Sequence, residues 1–296
     1  MTLELSTAGE SHGPALVALV TGLPAGLPLD RGAIAEDLRR RRQGYGRSPR
    51  QTLEQDEVEV LAGLRHGLTL GTPLALVVAN RDHANWAWGM SPWPPEGERS
   101  GKGTAPVTLP RPGHADLAGV LKFGHEDARN ALERASARST VVHVAAGAVA
   151  KALLAELGIR VEGCVVEIGD GFALARSRGS GAHDEIEPDR RRATNRAGGL
   201  EAGVTNGERV VVRAAMKPLP TLMRPLRSVD LATGEPGEAL VERSDVQAVD
   251  ALAVVAEAAV AWELARAVRE KFGGDALVDV AGAHAAYLER IGWRTP

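Results

Sequence analysis

The chain has 296 residues, of which 44% are hydrophobic and 25% charged, enough for one large domain or two ordinary ones with a sizeable core. Its formal net charge of -3 gives no global pull toward nucleic acid or an anionic membrane, so anion binding has to come from local clusters. The single cysteine, Cys164, excludes an internal disulfide and makes no metal-ligand spacing; it reads as a buried thiol in a reducing compartment.

The opening MTLELSTAGESHG lacks the basic and then apolar stretches of a secretory signal. No run reaches the roughly 18 apolar residues of a membrane span. The expectation is a cytoplasmic protein with no membrane partner. Residues 15–21 (ALVALVT) predict a buried strand, ended by a turn at Leu23-Pro24-Ala25-Gly26. Asp30 is a good N-cap for a helix over 31–42, which ends in four consecutive arginines and stops at Gly44. Residues 57–62 and 73–79 read as strands. The Trp- and Pro-rich segment 84–110 reads as a long irregular loop, a kind of loop that usually carries function. Residues 127–157 predict one long alanine-rich helix ended by Gly158, apolar nearly all round in its later turns. The charged segment 176–199 reads as an exposed loop or hinge. Residues 208–216 (ERVVVRAAM) predict a strand, and 247–271 a second long apolar helix closed by Gly273-Gly274. Strands mixed with long buried helices give an α/β (α+β) fold.

Five groups could carry chemistry. Gly9-Glu10-Ser11-His12-Gly13 and Arg111-Pro112-Gly113-His114-Ala115-Asp116 each set a histidine in a sharp turn, with Asp116 able to fix the tautomer of His114. A turn histidine and a capped helix start are the plainer readings. Arg39 to Arg42, with Arg47 and Arg50, could hold a polyanion or simply charge a helix end. Residues on one helix face are three or four apart, so the four consecutive arginines cannot share one ligand. Arg134 to Thr140 offers two arginines and three hydroxyls, or a polar helix face. Lys217-Pro218-Leu219-Pro220-Thr221 and Arg243-Ser244-Asp245 sit where strands end or helices begin, as ligand sites often do. The sequence has no P-loop, no GxSxG elbow, no HExxH, no CxxC and no clean GxGxxG. That removes the basis for metalloenzyme, P-loop NTPase and serine-hydrolase readings, and no metal ligand is proposed. An RNA-binding module is disfavoured by the acidic net charge and the scarcity of stacking aromatics.

In chain order, AGESHGP (8–14), GLPAGLPL (22–29), DLRRRRQGYGR (37–47), RPGHADL (111–117), LERASARST (132–140), AAGAVAKALL (145–154), VEIGDGF (166–172), NRAGGLEAGVTNG (195–207), KPLPTL (217–222) and VERSD (241–245) resemble the chorismate synthase family from end to end. The resemblance implies a single domain over 1–296 with a β-α-β sandwich of strands and long buried helices, shortened in the middle. It implies an anti-1,4-elimination of phosphate from 5-enolpyruvylshikimate-3-phosphate, giving chorismate in the shikimate pathway of aromatic amino acid biosynthesis. It implies reduced FMN as cofactor, NADPH as a candidate reductant and a homotetramer. His12, His114 and Asp245 match the family's catalytic residues. Arg134, Ala135, Ser136, Ala202, Lys217, Pro218, Leu219, Pro220, Thr221 and Arg243 match its flavin contacts, and Arg41 and Arg47 the pair assigned to NADPH or substrate phosphate. Two departures stand out. Between 159 and 166 the family carries roughly 90 further residues, the size of a small domain. Ala202 replaces a family glycine. A shortened, non-catalytic homologue that keeps a phosphate- and flavin-binding surface is the alternative expectation.

Overall fold

Alternation of apolar residues builds the first sheet. β1 (Glu4–Ala8) runs antiparallel to β2 (Ala15–Thr21), in which Leu16, Ala18 and Val20 point inward and are fully buried. β3 (Ala25–Pro28) follows at once. Then come α1 (Arg31–Arg42), β4 (Val58–Ala62), β5 (Leu64–Arg65), β6 (Leu68–Leu70) and β7 (Leu74–Ala79). The main sheet has the order β1-β2-β7-β4, and β3-β6-β5 form a second, smaller sheet. These positions come from a computed structural model that describes residues 2–44, 55–112, 114–163, 184–187, 191–201, 204–241 and 247–292.

Asp30 caps α1 as its sequence predicts: the Gly32 N–H donates to its carboxylate at 2.7 Å. Ile34, Leu38 and Arg41 then fall on the buried face. The turn after β2 comes earlier than expected. Gly22 makes it with φ 79, where a Cβ would meet the Thr2 carbonyl at 2.2 Å, so Ala25 and Gly26 already belong to β3.

Beyond a 3-10 turn at Arg81–Trp86 lie α2 (Asp116–Phe123), α3 (Arg129–Leu132), a 3-10 turn at Ala137–Ser139 and α4 (Thr140–Glu156). The single helix expected over 127–157 is therefore broken. Ser136 is extended, at φ -65 and ψ 143, and its hydroxyl accepts from the Arg138 N–H, a local bond that competes with continuing the helix. α4 is buried on several sides, as its apolar composition requires. By length and composition alone the stretch 129–156 would pass for a membrane span, yet it forms the centre of the core.

α5 (Val249–Phe272) matches the second predicted long helix and ends at Gly273, whose φ is 60. Its Ala251, Val254, Ala258, Ala261, Ala265 and Val268 recur every three or four residues along one buried stripe. α6 (Leu277–Arg290) follows and was not foreseen. α4 and α5 approach so closely that a Cβ on Gly147 would lie 2.3 Å from the Ala258 Cβ. In a core poor in aromatics, small residues let helix backbones fill the space.

The chain divides into two compact units, Met1–Cys164 with Pro218–Pro296, and Val165–Lys217. A satellite core in the first unit joins Val107, Ala128 and Leu132 to Val120 and Leu240. There β10 (Arg227–Val229) and β11 (Pro236–Glu238) pair beside residues 108–110. The second unit contains the short hairpin β8 (Leu200–Glu201) and β9 (Val204–Thr205). The strand predicted at 208–216 does not form. Val211 and Val212 are more than half exposed or close to it, and among the described residues no strand pairs with this run. The run is held by isolated bonds, from the Val211 N–H to the Gly198 carbonyl at 2.9 Å and from the Asn195 amide to the Arg209 carbonyl at 2.8 Å, too few for a ladder. Of the charged segment 176–199, residues 176–183 and 188–190 lie outside the described residues. The rest is irregular, organised around Asp184, which accepts from the backbone N–H groups of Arg196 and Ala197 at 2.8 Å.

Gly147→Ala should destabilise the protein by about 1–3 kcal/mol through overpacking, outweighing the better helix propensity of alanine. Urea melts check this, and Ala258→Gly in the same chain should recover part of the loss. An unchanged midpoint would contradict the close helix contact.

Candidate active site

The turn between β1 and β2 needs Gly9. Its φ is 107, and a Cβ there would meet the Ala15 carbonyl at 2.4 Å. The loop is held from two sides. Asn80, at the end of β7, donates to the carbonyls of Glu10 and Gly13 at 3.1 and 2.8 Å. Glu133, just past α3, accepts the His12 backbone N–H at 2.9 Å, and its own carbonyl accepts from Ser11 at 3.0 Å. The Glu133 carboxylate also contacts His12 Nδ1 at 2.9 and 3.0 Å and is 1% exposed.

The His12 ring stacks on Trp86, with centroids 3.8 Å apart and planes 20° from parallel. Trp86 is fixed in turn by its indole N–H, which donates to Asp82 at 3.0 Å. Arg129 lies 5.3 Å from the same ring and 3.6 Å from Glu133. Its Nε and Nη1 are buried and make no hydrogen bond to protein. Such donors are costly to leave unmet, and they suit an acceptor-rich anion beside His12.

His114 has a similar support. Its Nδ1 is 2.5 Å from Asp116, which is fully buried at the start of α2. Arg111 donates to Asp116 from its backbone N–H and Nε, both at 2.9 Å, and from Nη2 at 3.2 Å. Burial raises the Asp116 pKa, but the hydrogen bonds from His114 and Arg111 win and hold it well below the usual carboxylate range. An ionised carboxylate only accepts, so its 2.5 Å contact favours a hydrogen on His114 Nδ1, over the Arg111 Nη2 group that lies 3.2 Å from the same nitrogen. Arg111 also donates to the Thr221 hydroxyl at 3.1 Å. α2 packs on α3 where a Cβ on Gly119 would lie 2.3 Å from that of Ala131, two residues before Glu133. One small scaffold thus carries the supports of both histidines.

The arginine run is divided among acids. Arg39 bonds Glu36 at 2.6 Å on the surface, and Arg40 bonds Glu257 at 2.8 Å. Arg41 is buried, donating to Thr140 and to the Ala137 carbonyl at 2.9 Å and reaching Asp56 at 3.3 Å. Arg138 bonds the same Asp56 and also Asn80, the latter at 3.0 Å. Arg134 donates to the Thr7 carbonyl at 2.9 Å, tying β1 to the segment that follows α3. Beside it, Ala135 is exposed and Ser136 half-buried. Lys217 and Pro218 are exposed, and Leu219, Pro220 and Thr221 half-buried. Arg47, Ala202, Arg243 and Asp245 lie outside the described residues.

Glu133, Trp86, Asp82, Asn80, Asp56 and Arg129 escaped the sequence reading. Trp86 had a signal in the Trp-rich loop 84–110, and Glu133 and Arg129 in their place beside Arg134 in one charged stretch. Thr7, Asn80 and Asp56 become relevant only when the sheet and the loop before β4 meet.

Two histidines are thus held at Nδ1 by sealed carboxylates, with buried arginine donors beside the first. The family model "Chorismate synthase" matches residues 3–168 and 164–268, and the chain belongs to that family. It is 45% identical to the chorismate synthase of Symbiobacterium thermophilum over 387 positions, covering 97% of this chain and 99% of that one. With the Desulforudis audaxviator enzyme it shares 42% over 386 positions, 98% of each chain. A chain of 296 residues leaves at least 90 of those 386 positions without a counterpart. A crystal structure titled as chorismate synthase superposes with a TM-score of 0.72 at 28% identity, covering 98% of each chain, and bears out the α+β class. The family assigns the chain to the lyases of aromatic biosynthesis.

Asp82 yields a test of the Trp86 support. Burial raises its pKa, but hydrogen bonds from Asn85, Trp86 and Lys102 lower it to about 2. A depressed carboxylate stabilises the fold fully above its unfolded value of 3.8, and the contribution is lost as pH falls toward 2. Wild-type stability should therefore drop more steeply between those values than that of Asp82→Asn, by up to about one proton in slope. Equal slopes in urea melts across that range would contradict the assignment.

Proposed function

We infer that this chain carries out the family's reaction, the 1,4-elimination of phosphate from 5-enolpyruvylshikimate-3-phosphate to give chorismate, with reduced FMN as cofactor. The observation that carries the reading is the pair of histidines, each fixed through Nδ1 by a buried carboxylate, in a chain that follows the family from end to end. In this reading His12 gives a proton to the departing phosphate from Nε2. The buried donors of Arg129 take up charge on the anion. His114, whose Nδ1–H is bonded to Asp116, works through Nε2 on the flavin side and holds the cofactor in its anionic form. Asp245 assists removal of the ring hydrogen, a role supported by its family motif.

Reduced FMN, when bound, supplies an electron-rich ring that eases departure of the allylic oxygen. The residues present fit an acceptor-rich cofactor. Ser136 and exposed Ala135 lie at the helix break, Thr221 sits beside Arg111, and Arg134 stiffens the adjoining strand. For Ala202, Arg243 and the Lys217–Pro220 stretch the support is the family motif alone. The guanidinium of Arg41 is bonded to Asp56, Thr140 and a carbonyl, which favours Arg47 as the arginine that meets a phosphate of substrate or NADPH. A cytoplasmic homotetramer with no nucleic-acid or membrane partner is the assembly proposed.

The two stretches matched by the family model meet at 164–168, which supports placing the missing segment at the junction near 159–166 of a single family domain. That gap also favours a second reading, a non-catalytic homologue that retains an anion-binding surface. His12→Ala and His114→Ala separate the two: in an active enzyme each lowers kcat by about 10²–10⁴-fold, the usual contribution of a positioned proton-transfer group. Turnover unchanged in both variants would overturn the site, and no turnover in the wild type would favour the second reading.

A further inference from the structure

Glu133 is almost wholly sealed from water, yet its carboxylate meets the His12 loop twice, at the backbone N–H and at Nδ1. Burying a carboxylate is costly unless hydrogen bonds compensate it. Here the compensation comes from the proposed proton donor itself, with Arg129 3.6 Å away. Trp86 lies against the ring at 3.8 Å and stops it from tilting. His83 Nδ1 is 3.0 Å from the His12 carbonyl and steadies the backbone of the same residue.

We infer that Glu133 is the positioning residue of His12: it keeps a hydrogen on Nδ1 and leaves proton delivery to Nε2. The inference rests on His12 being the donor to the leaving phosphate. The ring begins with a hydrogen on both nitrogens. The Nε2–H bond breaks as a phosphate O–H bond forms, and the neutral ring keeps its remaining hydrogen on Nδ1. That is the tautomer an accepting carboxylate stabilises. Glu133 thus sets the direction of the transfer, while its charge stabilises the imidazolium that precedes it, as a buried carboxylate does for histidine in other acid–base sites.

Glu133→Gln tests this. Its amide oxygen can still accept the His12 backbone N–H, but its NH2 then faces Nδ1 and disfavours a hydrogen there. Kinetics with reduced FMN should show kcat lowered on the order of 100-fold with KM within about twofold, because a positioned proton donor contributes at least that much to the chemical step. Nitrogen-15 spectra of labelled histidines, assigned with His12→Gln, should show neutral His12 protonated at Nδ1 in the wild type and at Nε2 in Glu133→Gln. Wild-type kcat in the variant, or a wild-type ring protonated at Nε2, would overturn the inference. If the variant does not fold, the wild-type tautomer decides alone. Full activity in His12→Ala would instead remove the donor role, while the tautomer would still report whether Glu133 sets the ring.

Discussion

A histidine nitrogen against a carboxylate sealed from water occurs at His12 with Glu133 and again at His114 with Asp116. Each carboxylate also has a cation at hand, Arg129 at 3.6 Å from Glu133 and Arg111 bonded to Asp116, so its buried charge is met from two sides. The surrounding structure is arranged to keep both partners in place. α2 packs on α3 through Gly119, and the chain breaks helix at Glu133 to Ser136. The loop of His12 is strapped by Asn80, which follows the neighbouring strand β7 at the same end of the sheet. Site geometry and local stability are therefore one problem in this region.

The cations follow the same logic at larger scale. Arg41 and Arg138 both reach the buried Asp56, so two arginines that could face a ligand instead lock α1 and the segment before α4 to the loop preceding β4. Arg40 and Lys151 meet on Glu257, joining α1, α4 and α5. With these cations committed, Arg129 stands out for donors that the protein does not satisfy. A local positive site can thus exist in a chain of net charge -3.

Periodicity and capping made much of the frame legible. Asp30, the 15–21 alternation and the Gly273 stop each act through a few neighbouring residues, and each was readable. The helix break at Ser136 was not, because one hydroxyl-to-backbone bond decides it against an alanine-rich run. The 208–216 strand failed because strand formation depends on a partner elsewhere in the chain. The histidines were visible in their glycine turns, and Asp116 through its spacing. Glu133 lies 121 residues from His12, and no local pattern encodes that meeting.

The central claim is that a chain lacking at least 90 of its relatives' aligned positions still assembles a working elimination site. An anaerobic single-turnover experiment with photoreduced FMN tests it most directly, using protein in excess over 5-enolpyruvylshikimate-3-phosphate. The account predicts equal amounts of chorismate and inorganic phosphate. Tight retention of substrate with neither product released would contradict it.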